Sequence, residues 1–159
     1  MKIALIGYGK MGRSIEAAAI ERNHEIVLKA DVDINVRDLS ELLRGADVAI
    51  EFSVPSAAPA NILACFEADV PVVTGTTGWK DQFENIKSKC EERKGSLFYA
   101  SNFSIGMNLM FALNKYMAKM TGNQNQYKIS LEEIHHTQKL DAPSGTAITL
   151  ADDIIKNHP

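Results

Sequence analysis

Between Glu133 and Ala147 the chain reads EIHHTQKLDAPSGTA, placing two histidines, a lysine, an aspartate and a Ser-Gly-Thr triplet in one loop. His135 and His136 bring imidazoles, the side chains best suited to proton transfer at neutral pH. Lys139 adds a full positive charge. Pro143-Ser144-Gly145-Thr146 leads into the apolar-periodic Ala147-Ile148-Thr149-Leu150, so Ser144 reads as an N-cap, and the amides around Gly145 and Thr146 form a helix end suited to a carboxylate. The combination is acid chemistry beside an anion site. Plainer roles stay open: paired histidines can end a strand and bond to backbone, and a loop lysine is usually solvated. Cysteine or carboxylate ligands at helix spacing are missing here, so no metal is expected.

A second chemical feature lies at the other end of the chain. Gly7-Tyr8-Gly9-Lys10-Met11-Gly12 follows the first strand and opens the first helix. Gly7 allows a tight turn, Gly9 lets backbone approach a pyrophosphate, and Gly12 lets helix and strand pack closely. An acid about twenty residues on completes a dinucleotide fingerprint. Asp33, at the end of the second strand, is expected to accept hydrogen bonds from adenosine ribose hydroxyls. Asp31 is its rival, because alternation puts both on one side of the strand. A solvated loop acid is the bland alternative. No arginine stands beside Asp33 to receive a 2′-phosphate, so NADH is expected ahead of NADPH, with Arg37 near enough to keep NADPH open.

These residues need a scaffold, and the apolar periodicity supplies one. Short β-branched runs at Lys2–Ile6, Ile26–Val32, Asp47–Phe52, Pro71–Thr74 and Leu97–Ala100 alternate with helical stretches at Met11–Glu21, Ser56–Ala68, Asp81–Lys94 and Met107–Met120. Ser56 is expected to cap its helix, and a short helix to cover Asp38–Leu43. The expected fold is α/β, a Rossmann-like parallel sheet with helices on both faces. Ligands bind such sheets at the carboxyl ends of the strands. There the chain places Ser53, then Gly75-Thr76-Thr77-Gly78, then Ser101-Asn102-Phe103-Ser104, consistently small and polar. The amides and threonine hydroxyls of Gly75–Gly78 form either a plain turn or a site suited to a carboxamide or ribose of the nicotinamide half of a cofactor. Tyr8 and Phe103 fit core packing and ring stacking about equally. The polar run after Met120 suggests a boundary, giving a dinucleotide-binding domain at 1–122 and the start of a second, α+β substrate domain at 123–159. A strand at Tyr127–Glu133 and a helix at Thr146–Lys156 are expected in the latter.

Composition narrows the partners. With 159 residues, 45% hydrophobic content and a net charge of −3, the chain can bury a core but offers no basic field for nucleic acid or an anionic membrane. Cys65 and Cys90 sit in amphipathic helical patterns and read as reduced thiols. No charged leader and no membrane-length apolar run is visible, so a cytoplasmic small-molecule protein is expected.

HHTQKLDAPSGTA closely resembles the signature of the dihydrodipicolinate reductase (4-hydroxy-tetrahydrodipicolinate reductase) family of lysine and diaminopimelate biosynthesis. GYGKMG, EFSVP, GTTGW and ASNFSIGMN extend the resemblance along the chain. It implies that Gly7 to Gly12 and Asp33 hold the dinucleotide, with Gly75, Thr76, Thr77 and Ala100 to Phe103 around its nicotinamide end. It also implies that His135 and Lys139 are the proton donors, that His136 contacts substrate, and that Gly145 and Thr146 bind a substrate carboxylate. The implied reaction is reduction of a cyclic imine dicarboxylate to tetrahydrodipicolinate. Family members continue past Pro159 to complete an open mixed sheet used in a homotetramer, so the second domain is expected to be incomplete. Two alternatives stand beside this reading. One is a non-catalytic NAD(H)-binding module, which would not need the His135–Thr146 loop. The other is a semialdehyde enzyme, which would want a cysteine at a strand end.

Overall fold

The computed structural model describes residues 1–32, 34–124, 126–135 and 142–158. The chain forms two compact units, Met1–Ala100 and Ser101–Pro159.

The first unit is a parallel sheet of five strands: β1 (Lys2–Ile6), β2 (Glu25–Ala30), β3 (Val48–Glu51), β4 (Val72–Thr74) and β5 (Leu97–Tyr99). They lie in the order β2-β1-β3-β4-β5, every pair parallel. Helices α1 (Lys10–Glu21), α2 (Val36–Leu42), α3 (Ala58–Glu67) and α4 (Phe83–Glu92) make the crossovers. Alternation along β1 explains the layering. Ala4 and Ile6 face one side, where they join Leu39 of α2, Leu43 just after it, Ile62, Cys65 and Phe66 of α3, and Ile86 of α4 in the main core. Ile3 and Leu5 face the other, packed with Ala19 and Ile15 of α1. β1 is thus apolar on both faces, as a parallel strand covered on both sides must be. The order reverses between β1 and β3, which opens a crevice at their carboxyl ends.

The strands begin and end within two residues of the expected positions, but some details differ. Ser56 does not cap α3. Its N-cap is Ala57, in a helical conformation without a side-chain bond, and the helix is entered through a turn in which the Ala57 and Ala58 amides donate to the Val54 carbonyl. Backbone thus replaces the expected hydroxyl.

In the second unit, α5 (Ile105–Thr121) and α6 (Gly145–Asn157) pack together. Buried Asn114 on α5 donates from Nδ2 to the Leu150 carbonyl at 3.0 Å. This pairing explains why the units divide after Ala100 and not after Gly122: α5 has its partner in α6. Residues 127–133 are not a strand, because no other strand among the described residues pairs with them. The described part of this unit is therefore helical, and the α+β character expected of it is not seen there. Among the described residues, no helix is long and apolar enough to cross a membrane.

Candidate functional site

The glycine turn is built by close approach. Gly7 has φ +88°, and its amide donates to the Ala30 carbonyl at 2.8 Å, tying β1 to the end of β2. A Cβ on Gly7 would lie 2.1 Å from the Phe52 carbonyl oxygen, and one on Gly12 2.3 Å from the Gly7 carbonyl oxygen. A Cβ on Gly9 would meet nothing within 4 Å. Gly9 is the N-cap of α1 and has no side-chain capping bond, so the first amides of that helix are left to an outside acceptor. Two glycines are consumed by internal packing, and the third stands open.

Beside this turn lies a cavity of about 440 Å³, lined by Gly7, Gly9, Asp31, Val32, Ile34, Leu39, Phe52 and Ser53 among others. Asp31 follows β2 directly and reaches the cavity wall. Asp33 lies outside the described residues, as do His136 and Lys139. A shallower groove of about 270 Å³ is walled by Met11, Phe52, Ser53, Pro55, Gly75, Thr76 and Thr77. The strand-end residues expected to act together, Gly7, Gly9, Met11, Ser53, Gly75, Thr76 and Thr77, thus meet along one sheet edge.

Tyr8 and Lys10 are placed differently. The Tyr8 ring packs against the α1-side core, its hydroxyl donates to Glu16, and Lys29 closes the group at 2.5 Å from Glu16. Arg13 and Lys29 stand 5.0 and 5.1 Å from the ring centroid. The ring therefore serves the opposite face of the sheet, and only Tyr8 backbone remains beside the glycine turn. Lys10 is exposed at the start of α1.

Residues that sequence reasoning passed over hold the groove. Glu51, 0% exposed at the end of β3, accepts from the Ser53 amide at 3.0 Å, from Thr76 Oγ1 at 2.9 Å, and from the hydroxyls of Ser53 and Thr74. Trp79, buried, donates from Nε1 to the Thr76 carbonyl at 2.6 Å and packs edge-on against Tyr99, with 5.1 Å between ring centroids. A lone carboxylate in the otherwise apolar run Val48-Ala49-Ile50-Glu51-Phe52 was the available signal for the first. At the edge of this unit the Ala100 amide reaches the Thr74 carbonyl at 3.3 Å.

In the second unit, Ser101, Asn102 and Phe103 lead into α5. Asn102 Oδ1 accepts from the Ser104 amide at 2.9 Å, and Asn108 Nδ2 donates to the Asn102 carbonyl at 3.0 Å, fixing this approach. Ser104 caps α5, accepting from the Met107 amide at 3.4 Å.

At the start of α6, Ser144 is the N-cap, and its Oγ accepts from the Ala147 amide at 3.1 Å. Its own amide donates to Glu133 Oε2 at 2.9 Å, while Glu133 Oε1 lies 2.6 Å from His135 Nε2. The Ser144 hydrogen bonds, hydroxyl and amide, and then His135 hold the Glu133 carboxyl down at about 2. Glu133 is consequently an ionised acceptor at neutral pH, and His135 carries a proton on Nε2 to meet it. Ser144 has its amide and hydroxyl engaged, so the donors left at this helix end are the amides of Gly145 and Thr146. Glu133 stands two residues before His135, and only the fold shows that it also reaches Ser144. No cluster of metal-ligating side chains occurs among the described residues.

Comparison with known proteins bears on the same two units. The family model described as dihydrodipicolinate reductase, N-terminus, matches residues 1–103, and that for the C-terminus of the same family matches residues 106–159. The 4-hydroxy-tetrahydrodipicolinate reductase of Christiangramia forsetii is 49% identical over 158 residues, 99% of this chain and 65% of that protein. The enzyme of the same name from Psychrobacter arcticus is 36% identical, over 97% of this chain and 62% of its own length. The chain thus spans about two thirds of the curated relatives it matches. A solved dipicolinate-bound dihydrodipicolinate reductase from Paenisporosarcina sp. TG-14 superposes with a TM-score of 0.76 at 28% identity, covering 100% of this chain and 67% of that one. With both halves of the family pattern matched in order on a sheet of the same fold, the chain belongs to the dihydrodipicolinate reductase family.

Proposed function

We propose that this chain carries the dinucleotide site and part of the substrate site of a 4-hydroxy-tetrahydrodipicolinate reductase, acting in the cytoplasm in lysine and diaminopimelate biosynthesis. The observation that carries the reading is the open approach to Gly9 at the uncapped start of α1, beside the strand-end cavity. Such a cradle suits a pyrophosphate, whose charge the helix end stabilises. The apolar wall of Val32, Ile34 and Leu39 suits an adenine ring, and an acid at the end of β2, Asp33 with Asp31 as its rival, suits the ribose hydroxyls. No lysine or arginine lines the cavity among the described residues, which favours NADH over NADPH.

When bound, the cofactor supplies a hydride to the cyclic imine dicarboxylate. The protein's own groups do the rest. The free amides of Gly145 and Thr146 at the start of α6, with Lys139, hold a substrate carboxylate. With Nε2–H engaged by Glu133, His135 acts as a donor in its doubly protonated form, giving the proton on Nδ1 and remaining as the neutral Nε2–H tautomer, and Lys139 is the second donor. Family relatives that carry the same name, and a solved neighbour described as dipicolinate-bound, support this substrate class.

The test is oxidation of NADH and of NADPH, followed by absorbance, with the imine generated in place, alongside fluorescence binding of each cofactor. NADH binding and imine-dependent oxidation are expected. Binding without oxidation would leave a dinucleotide module, and absence of both would overturn the reading.

A further inference from the structure

We propose that Glu51 is a positioning residue for the nicotinamide half of the dinucleotide site, an inference that rests on the cofactor reading above. Glu51 ends β3 opposite Thr74, in a sheet whose other inward side chains are mainly apolar. A carboxylate there is tolerated only if donors surround it, and they come from both neighbouring strand ends. Ser53 gives its amide and hydroxyl to Oε1, Thr76 gives its hydroxyl to the same oxygen, and Thr74 gives its hydroxyl to Oε2. The Ser53 amide also faces Thr76 Oγ1 at 2.9 Å, so the ends of β3 and β4 are joined directly as well as through Glu51.

This arrangement decides what the groove presents. A hydroxyl has one proton, and those of Ser53 and Thr76 are directed at Glu51. Neither can donate to a ligand at the same time. Thr76 is held from two sides, its hydroxyl by Glu51 and its carbonyl by Trp79, and Asn61 Nδ2 reaches Ser53 Oγ at 3.2 Å from α3. What remains for a ligand is the Thr76–Thr77 backbone and the exposed Thr77 side chain, at a position set by the buried Glu51 side chain. The two turns are also in contact, since a Cβ on Gly75 would fall 2.2 Å from the Phe52 ring. Displacing one displaces the other. The Gly7–Gly12 side of the pyrophosphate cradle is fixed by contacts that do not involve Glu51, the Gly7 amide on the Ala30 carbonyl and the packing of Gly12 against the Gly7 carbonyl. Glu51 should therefore act far more on the nicotinamide half of the cofactor than on the other.

That asymmetry provides the experiment. Affinities for NADH and for ADP-ribose, which lacks the nicotinamide, are measured by calorimetry on the wild-type chain and on Glu51→Gln and Glu51→Asp. Thr74→Val, a near-isosteric change away from the groove that removes one donor to the same carboxylate, is measured alongside. The expected result is that NADH binding weakens by about tenfold in the Glu51 variants and less in Thr74→Val, while ADP-ribose stays within about twofold. Thr74→Val keeps the question decidable if a Glu51 variant fails to fold. Equal losses for both ligands would show a merely structural role and overturn the proposal, as would unchanged NADH affinity. A wild-type chain that binds ADP-ribose but not NADH would overturn it while leaving the pyrophosphate cradle intact. Binding of neither would sink the dinucleotide reading itself, and this inference with it.

Discussion

Replacing the three glycines of the first turn one at a time by alanine separates folding from binding. At Gly7 the new methyl would meet the Phe52 carbonyl oxygen at 2.1 Å, in a backbone with φ +88°. The left-handed conformation costs about 1–2 kcal/mol for alanine, and crowding against backbone that cannot rotate away adds about 1–3 kcal/mol. The expected loss is roughly 2–5 kcal/mol, which for a chain of this size lowers the melting temperature by roughly 4–20 °C. At Gly12 the methyl would meet the Gly7 carbonyl oxygen at 2.3 Å, but alanine's better helix propensity offsets about 1 kcal/mol, so the net cost is smaller. At Gly9 nothing lies within 4 Å, and the change costs less than about 1 kcal/mol through the N-cap. That open space is where a pyrophosphate must come, so Gly9→Ala should weaken NADH binding by about tenfold or more, near 1.4 kcal/mol, in a protein that melts almost normally. Differential scanning fluorimetry and NADH fluorescence read the two effects. A Gly9→Ala protein that binds NADH as wild type does, or a Gly7→Ala protein that melts with the wild type, would refute the assignment of roles.

Three further outcomes follow from the site. Because the Glu133 carboxyl is held down at about 2 in the folded chain, its bonds to Ser144 and His135 contribute stability above the ordinary carboxylate value of 4.5 that is lost as pH falls towards 2. Thermal unfolding followed by circular dichroism should show Glu133→Gln less stable than wild type at pH 7, the gap closing through that window; a gap independent of pH would count against the linkage. His135→Gln and Lys139→Ala should each reduce imine-dependent turnover by about a hundredfold or more while leaving NADH affinity nearly unchanged, and equal loss of NADH binding would remove their assignment as proton donors. Burial first, and the neighbouring Glu51 second, push the Cys65 thiol up to about 12, so in the native chain a thiol reagent should label Cys90 and spare Cys65 until denaturant is added. Native labelling of Cys65, seen by peptide mass analysis, would contradict its burial.

What the amino-acid order determined by itself is the part of the molecule made by near neighbours. The strand–glycine–helix unit at Lys2 to Glu21 was readable because strand period, turn and helix lie side by side in the chain. Ser144 was readable as a cap for the same reason, since its partner Ala147 is three residues away. The parallel sheet followed from alternation, although strand order did not. Tertiary structure decided everything that depends on distant partners. The helix Ile105–Thr121 belongs to the second unit because it packs on α6, which no local signal at Gly122 could reveal. A strand at Tyr127–Glu133 failed among the described residues because a strand needs a neighbour as well as a pattern. The Tyr8 ring went to the α1 side, where Glu16 and Lys29 receive it. The hydroxyls of Ser53 and Thr76, legible as polar groups at strand ends, turned inward on Glu51. Spacing tells which residue types reach the crevice. Which of their atoms remain free to bind depends on hydrogen-bond partners brought from other strands, and those exist only once the sheet has formed.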